Sequence, residues 1–307
     1  MPGILLFGAD GQVGWELRRS LGEIRKVLPL TRLLVDLGDA PSIRAAIRDM
    51  QPDAIVNAAA YTAVDKAETE QDLAFAINAR APAVMAEAAQ AAGIPLIHYS
   101  SDYVYNGRKA GTYVESDATD PQSAYAHSKL AGDAAVLASG AKAVILRTSW
   151  VYAARGANFL KTMLRLGHER DSLRVVSDQI GAPTSAELLA DVTAKVLLHI
   201  FSRKTSEDNG TLLASSEAPY GVYHCAPAGE TSWHGYAVFV ISEARKLGVE
   251  LKLAPEHIEA ITTEQYPLPA PRPKNSRLDC SKLERTFALQ LPPWQLHVSR
   301  TLKELFS

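Results

Sequence analysis

Short apolar runs alternate with longer segments of helical period over the first two thirds of the chain. Ile4 to Phe7, Val27 to Leu30, Ala54 to Asn57, Pro95 to Ser100, Ala143 to Thr148 and Leu173 to Val176 lack the polar alternation of half-exposed strands. That pattern predicts strands covered on both faces, hence a parallel sheet between helices. Gln12 to Leu21, Ser42 to Met50, Glu70 to Ala92, Ala124 to Ala138 and Asn158 to Gly167 read as the intervening helices. Beyond about Asp178 the alternation degrades. Ala186 to Phe201 and Trp233 to Leu247 remain helical in period, whereas the polar stretch Arg203 to Pro219 reads as an exposed loop. Tyr266 to Pro273, with four prolines in eight residues, predicts an extended segment, because proline removes a backbone donor and fixes φ.

Composition narrows the classes. With 47% hydrophobic residues in 307, the chain can bury a substantial core. A formal charge of -2 disfavours a general grip on nucleic acid or an anionic membrane. No apolar run approaches a spanning helix, and the first residues lack a signal-peptide pattern, so a cytoplasmic protein is expected. Cys225 and Cys280 stand far apart without a Cys-x-x-Cys or Cys/His grouping, which argues for reduced thiols and against structural zinc.

Gly8-Ala-Asp-Gly11-Gln12-Val13-Gly14 follows the first predicted strand and opens the first helix. Glycines there let the backbone approach a dinucleotide pyrophosphate, and the helix N-terminus offers unpaired N–H groups. The expectation is an α/β chain with a Rossmann-type, doubly wound parallel sheet. Residues 1–178 would form its NAD(P)-binding domain, with later segments able to return to it, and residues 179–307 a smaller, mainly substrate-binding region. Where strand two ends, an NAD enzyme usually places an acid on the ribose 2'-hydroxyl; here Thr31-Arg32 stands instead. Arginine pairs with a 2'-phosphate, so NADPH is expected over NADH, with NADH still usable.

Tyr125-Ala-His-Ser-Lys129 puts a phenol and an ammonium four residues apart, on one helix face. Reducing a ketone requires a proton for the nascent alkoxide, and a neighbouring lysine would lower the phenol's pKa. Ser101, at the carboxyl end of the fourth predicted strand, can hydrogen-bond the reacting carbonyl.

The order of these motifs resembles the extended short-chain dehydrogenase/reductases, and within them the dTDP-4-dehydrorhamnose reductases. The carrying segments are GADGQVGWE from Gly8, NAAAYTAVDKAE from Asn57, HYSSDYV from His98, YAHSKLAG from Tyr125, RTSWVY from Arg147, NFLKTMLRL from Asn158, DQIGAPT from Asp178 and RPKNSRL from Arg272. The resemblance implies Tyr125 as general acid, Lys129 holding the nicotinamide ribose and tuning Tyr125, and Ser101 on the C4 carbonyl. It implies sugar contacts from Asp102 and Tyr103, and Trp150 as a pocket wall. Gly11, Gln12, Val13, Ala60, Tyr61, Thr62 and Tyr99 would line the dinucleotide, with Asp36 and Leu37 near the adenine. The implied reaction passes hydride to C4 of dTDP-4-dehydro-L-rhamnose. The implied partner is thus a nucleotide sugar, whose diphosphate would suit the cations Arg272, Lys274 and Arg277.

The family pattern also implies a magnesium ion at a homodimer contact, held by acids matching Glu16, Glu187 and a Leu-Pro-acid-Trp stretch. Here Pro293 replaces that last acid, removing one hard oxygen ligand. Two alternatives share the motifs: a nucleotide-sugar 4,6-dehydratase or epimerase, and a non-catalytic regulatory subunit. Dehydratases follow the strand-end hydroxyl with Asp-Glu, whereas Ser101 precedes Asp102-Tyr103.

Overall fold

The computed structural model describes residues 3–208 and 219–306. In chain order its first half runs β1 (Ile4–Phe7), α1 (Gln12–Gly22), β2 (Val27–Leu30), α2 (Ala40–Met50), β3 (Ala54–Asn57), α3 (Gln71–Phe75), α4 (Ala81–Ala92), β4 (Leu96–Ser101), α5 (Ala124–Ala138) and β5 (Ala143–Thr148). Then follow β6 (Val151–Tyr152), α6 (Phe159–Glu169), β7 (Leu173–Val176), β8 (Ile180–Gly181), β9 (Thr184–Ser185) and α7 (Ala186–Asp208). The chain ends with β10 (Gly221–His224), β11 (Thr231–Ser232), α8 (Trp233–Lys246), β12 (Ile258–Ile261), α9 (Ser281–Phe287) and α10 (Trp294–Phe306).

Six parallel strands form the central sheet in the order β2-β1-β3-β4-β5-β10. Successive side chains of each strand enter opposite cores, as the two-residue period requires. Ile4, Leu6, Val56, Val144 and Leu146 pack with Leu17 and Leu21 of α1, Leu189 and Leu197 of α7, and Phe287 of α9. Leu5, Phe7, Ile55, Leu96 and Ile145 face Ile43 and Ile47 of α2, Met85 of α4 and Val136 of α5. The doubly wound α/β expectation therefore holds. A third core joins α6, α8 and α10 to β7 and β12 through Leu160, Met163, Val240, Ile241 and Val298.

Three readings need correction. Leu173 to Val176 is a strand, but it pairs with β12 in a separate two-stranded sheet. The sixth strand is β10, half exposed at its start and composed of Gly-Val-Tyr-His, so its four residues carry no apolar run. Glu70 to Ala92 is not one helix. It is α3, a π-helical turn over Ala76–Arg80, and α4, because Pro82 has no N–H for the preceding turn. The loop expected from Arg203 begins later, since α7 continues to Asp208; the rest of that expected loop, through residue 218, lies outside the described residues. A helix anchored by its earlier turns needs no apolar stripe at its end.

Candidate active site

The strand order reverses between β1 and β3, and open parallel sheets bind ligands at such a point, beyond the carboxyl ends of the strands. The glycine loop lies there. Gly8 has φ +76°, and a Cβ on it would stand 2.7 Å from the Ala59 nitrogen. A Cβ on Gly14 would overlap the Gly8 carbonyl, so α1 starts hard against the loop. Gly11 is the N-cap of α1, and no side chain caps the helix. The amides of Gln12 and Val13 at that end, the positive end of the helix dipole, suit an anion. This cradle fits a dinucleotide pyrophosphate. The Gln12 side chain accepts a hydrogen bond from Asn158 Nδ2 at 2.9 Å, tying the cradle to the N-cap of α6.

Arg32 is exposed just past β2, and no ion pair engages it among the described residues. Asp36 is exposed and accepts from the Gly38 amide, while Leu37 packs under the sheet edge. Ala60, Tyr61 and Thr62 follow β3, at the far side of the switch point. Sequence reasoning missed what holds that segment. Asn78, buried in the π-helical turn, accepts from the Tyr61 amide at 2.9 Å and donates to the Tyr61 carbonyl and to Ser128 Oγ, both at 3.0 Å. A π turn with a buried polar residue is a signal that appears only in coordinates.

Ser101, the last residue of β4, is 7% exposed. Its hydroxyl donates to Asp102 Oδ1 and accepts from the Tyr103 amide, each at 3.1 Å. Tyr125, at the start of α5 behind the N-cap Ser123, turns its phenol toward the Ser101 hydroxyl, which favours the ionised form of that phenol. Burial pushes the Tyr125 phenol up to about 12, opposed by the Ser101 hydroxyl and reinforced by the Asp102 and Asp133 charges. This corrects the expectation that Lys129 lowers it. Lys129 is 2% exposed and sends its ammonium to the Tyr99 carbonyl at 2.6 Å, while burial lowers its pKa to about 8. Tyr99 reaches the other way, its hydroxyl 2.5 Å from Thr193 on α7.

Asp102 is buried, with Oδ2 unpartnered among the described residues. Burial raises its pKa to about 6, against hydrogen bonds from Ser276, Ser101 and backbone amides. The Tyr103 ring meets Tyr125 edge-on at 5.7 Å, and burial raises its pKa too. Trp150 adopts φ +50°, a strained conformation for a bulky residue. Its ring stacks on Trp233 of α8 at 3.8 Å, and Gly181 lies flat between it and Ser276. A cleft wall thus runs from Trp233 through Trp150 and Ser276 to Asp102. Trp233 was missed because nothing local distinguishes it from a core aromatic.

The three cations Arg272, Lys274 and Arg277, in and just after the proline-rich segment, are all engaged. Arg272 pairs with Asp65 at 2.7 Å, and its charge also acts on Tyr103. Lys274 bridges Asp178 and Glu264 at 2.9 and 2.8 Å, and Arg277 meets Glu230 at 3.4 Å and the Ala110 carbonyl at 2.6 Å.

The acids named for magnesium lie elsewhere, around a cleft of about 210 Å³ that Glu16, Glu187, Glu304 and Arg300 line. Both Glu187 oxygens are engaged, Oε1 by Arg300 at 2.7 Å and Oε2 by His297 at 3.1 Å. With Pro293 in place of an acid and a guanidinium in the cleft, this donor set does not fit a hard divalent cation.

A dinucleotide crevice opening beside a serine, tyrosine and lysine on β4 and α5 defines an NAD(P)H-dependent oxidoreductase of the short-chain class. Known sequences narrow this: the profile of the family described as the RmlD substrate binding domain matches residues 1–307. The chain belongs to this family, the dTDP-4-dehydrorhamnose reductases. Those of Escherichia coli K12 and Burkholderia thailandensis are 45% and 43% identical to it, each covering 99% of this chain, and 98% and 99% of their own. A crystal structure of the Bacillus anthracis reductase in complex with NADP is 33% identical, with a TM-score of 0.83, covering 99% of this chain and 100% of that one. A Thermus thermophilus UDP-glucose 4-epimerase with NAD is 18% identical, with a TM-score of 0.76 over 99% of each chain, and shares the fold.

Proposed function

We propose that this chain reduces the C4 ketone of dTDP-4-dehydro-L-rhamnose with NADPH, giving dTDP-L-rhamnose. The carrying observation is that Ser101, at the carboxyl end of β4, and Tyr125, at the start of α5, face each other at the end of the sheet that carries the glycine cradle. The reduced dinucleotide, when bound, supplies the hydride. Ser101 hydrogen-bonds the carbonyl oxygen as it gains charge. Tyr125 keeps its proton at neutral pH, as an acid must, and gives it to the basic alkoxide. Lys129 carries its charge below Tyr99, where the resemblance puts the nicotinamide ribose. Asp102, Tyr103 and Trp150 orient the sugar. Arg272, whose charge acts on Tyr103, is the cation this reading turns toward the nucleotide's diphosphate; Lys274 and Arg277, paired with Asp178, Glu264 and Glu230, brace the loop that carries it. Arg32 selects NADPH through the 2'-phosphate. Residues 1–178, joined by α7, β10 and α9, hold the cofactor, and the remainder of 179–307 shapes the sugar site. Cytoplasmic reduced dinucleotide suits such a biosynthetic step.

The test generates the 4-keto-6-deoxy-L-sugar nucleotide in place and follows reduced nicotinamide. One NADPH consumed per sugar is expected. Conversion without net consumption would assign a dehydratase or epimerase, which recycles its dinucleotide, and no turnover by the purified chain would assign a regulatory subunit. In Arg32→Ala the ratio of kcat/KM for NADPH over NADH is expected to fall about tenfold or more, as loss of a charge-assisted phosphate contact implies; an unchanged ratio removes Arg32 from that role.

A further inference from the structure

Beneath the catalytic lysine lies a buried ionic network that the reaction as described does not use. Asp133 is one helical turn beyond Lys129 on α5 and 1% exposed. Its Oδ2 accepts from Arg147 Nε on β5 at 3.0 Å, a pair with almost no access to water. Arg147 in turn donates to the Tyr105 hydroxyl at 2.9 Å, and that hydroxyl meets His224 Nε2 at 2.8 Å.

We propose that Asp133 is a positioning residue for the reduction, the buried counter-charge that keeps Lys129 an ammonium aimed at the Tyr99 carbonyl. This rests on the reading of Lys129 as a working residue of a reductase. A buried ammonium without an anion sheds its proton. Lys129 makes its hydrogen bond to a neutral carbonyl, so the charge must be balanced from elsewhere. From β4 it faces His98, which is fully buried, held neutral by burial and by the Lys129 charge, and joined through Nδ1 to Asn57. From its own helix it faces Asp133, whose charge opposes the effect of burial on the lysine. Asp133 faces Lys129 and Tyr125 on α5, Ser100 on β4 and Arg147 on β5. Arg147 has the complementary task, favouring the ionised Asp133 that burial alone would protonate. Asp133 Oδ1 has no hydrogen-bond partner among the described residues. The Ser100 hydroxyl on β4, likewise without a partner among them, faces the carboxylate and favours its ionised form.

The experiment compares wild type, Asp133→Asn and Asp133→Glu. It measures kcat/KM between pH 6.5 and 9.5 and, without any sugar, the NADPH Kd by fluorescence over the same range. In Asp133→Asn the alkaline limb of both profiles is expected about one pH unit lower, the effect of removing one close opposite charge. The loss is then greatest at the alkaline end and least at pH 6.5, and Asp133→Glu restores the wild-type limb. An unmoved limb in folded Asp133→Asn, or an equal loss at every pH, overturns the proposal, since a merely structural pair would give either. Asp133→Ser, smaller and also neutral, carries the same expectation if melting curves show the asparagine variant unfolded. Should the sugar assay fail for wild type, the Kd profile still reads the effect of Asp133, which separates this proposal from the reductase assignment.

Discussion

A carboxyl group placed as Asp102 is, 3% exposed with Oδ2 unpaired among the described residues, costs the folded chain free energy whenever it is ionised. Its pKa of about 6 lies above the usual 3.8, so between those values the folded state holds a proton that the unfolded chain has released. Its contribution to stability is therefore most favourable below pH 4 and is lost as pH rises through 6. Asp102→Asn is expected to stabilise the protein at pH 8 by on the order of 2 kcal/mol, raising Tm by several degrees, with a much smaller gain at pH 4. Calorimetry at both pH values checks this, and kcat/KM for the sugar is expected to fall in the same variant. Tyr125→Phe should lower kcat by about 10²- to 10⁴-fold with the melting temperature nearly unchanged, measured by the coupled assay. The placement of Ser101 at the end of β4 and of Tyr125 and Lys129 together on α5 was legible, because strand-end position and four-residue spacing are properties of sequence. The sign of the Tyr125 shift was not, since it depends on burial and on where the Lys129 ammonium points.

Between residue and molecule stand the elements that aim these groups. The π-helical turn at Ala76–Arg80 turns Asn78 inward, where it holds both backbone groups of Tyr61. Asn78→Ala strands those groups and is expected to weaken NADPH binding about tenfold, the effect of roughly 1.4 kcal/mol, as titration of nicotinamide fluorescence would show. Periodicity predicted one helix across Glu70 to Ala92, because apolar spacing survives a π turn almost unchanged; the break is imposed by Pro82 and by what Asn78 binds. In the same way an apolar run identified Leu173–Val176 as a strand without naming its partner. Pairing is decided by which edge is free, and β10 fills the free edge of β5.

Across the whole molecule, the cleft bounded by Glu16, Glu187 and Glu304 carries its own cation, Arg300. Activity and melting temperature are therefore expected to stay within about twofold and a degree or two after exhaustive EDTA treatment, judged against the usual span of single-contact effects. A steep, magnesium-reversible loss would contradict the donor set described. Pro293 made this legible in sequence, whereas the Arg300 and His297 contacts to Glu187 come from helix packing and were not. The sheet itself has an order of assembly written into it. Its last strand is β10, and α9, which covers that strand with Phe287 against Tyr223, comes later still. A nascent chain leaving the ribosome consequently exposes the bare flank of β5 until synthesis has passed His224 of the 307 residues, and leaves β10 uncovered until α9 follows. Such an edge is a template for wrong partners, so C-terminal truncation anywhere before residue 221 should yield aggregates instead of a smaller nucleotide-binding protein.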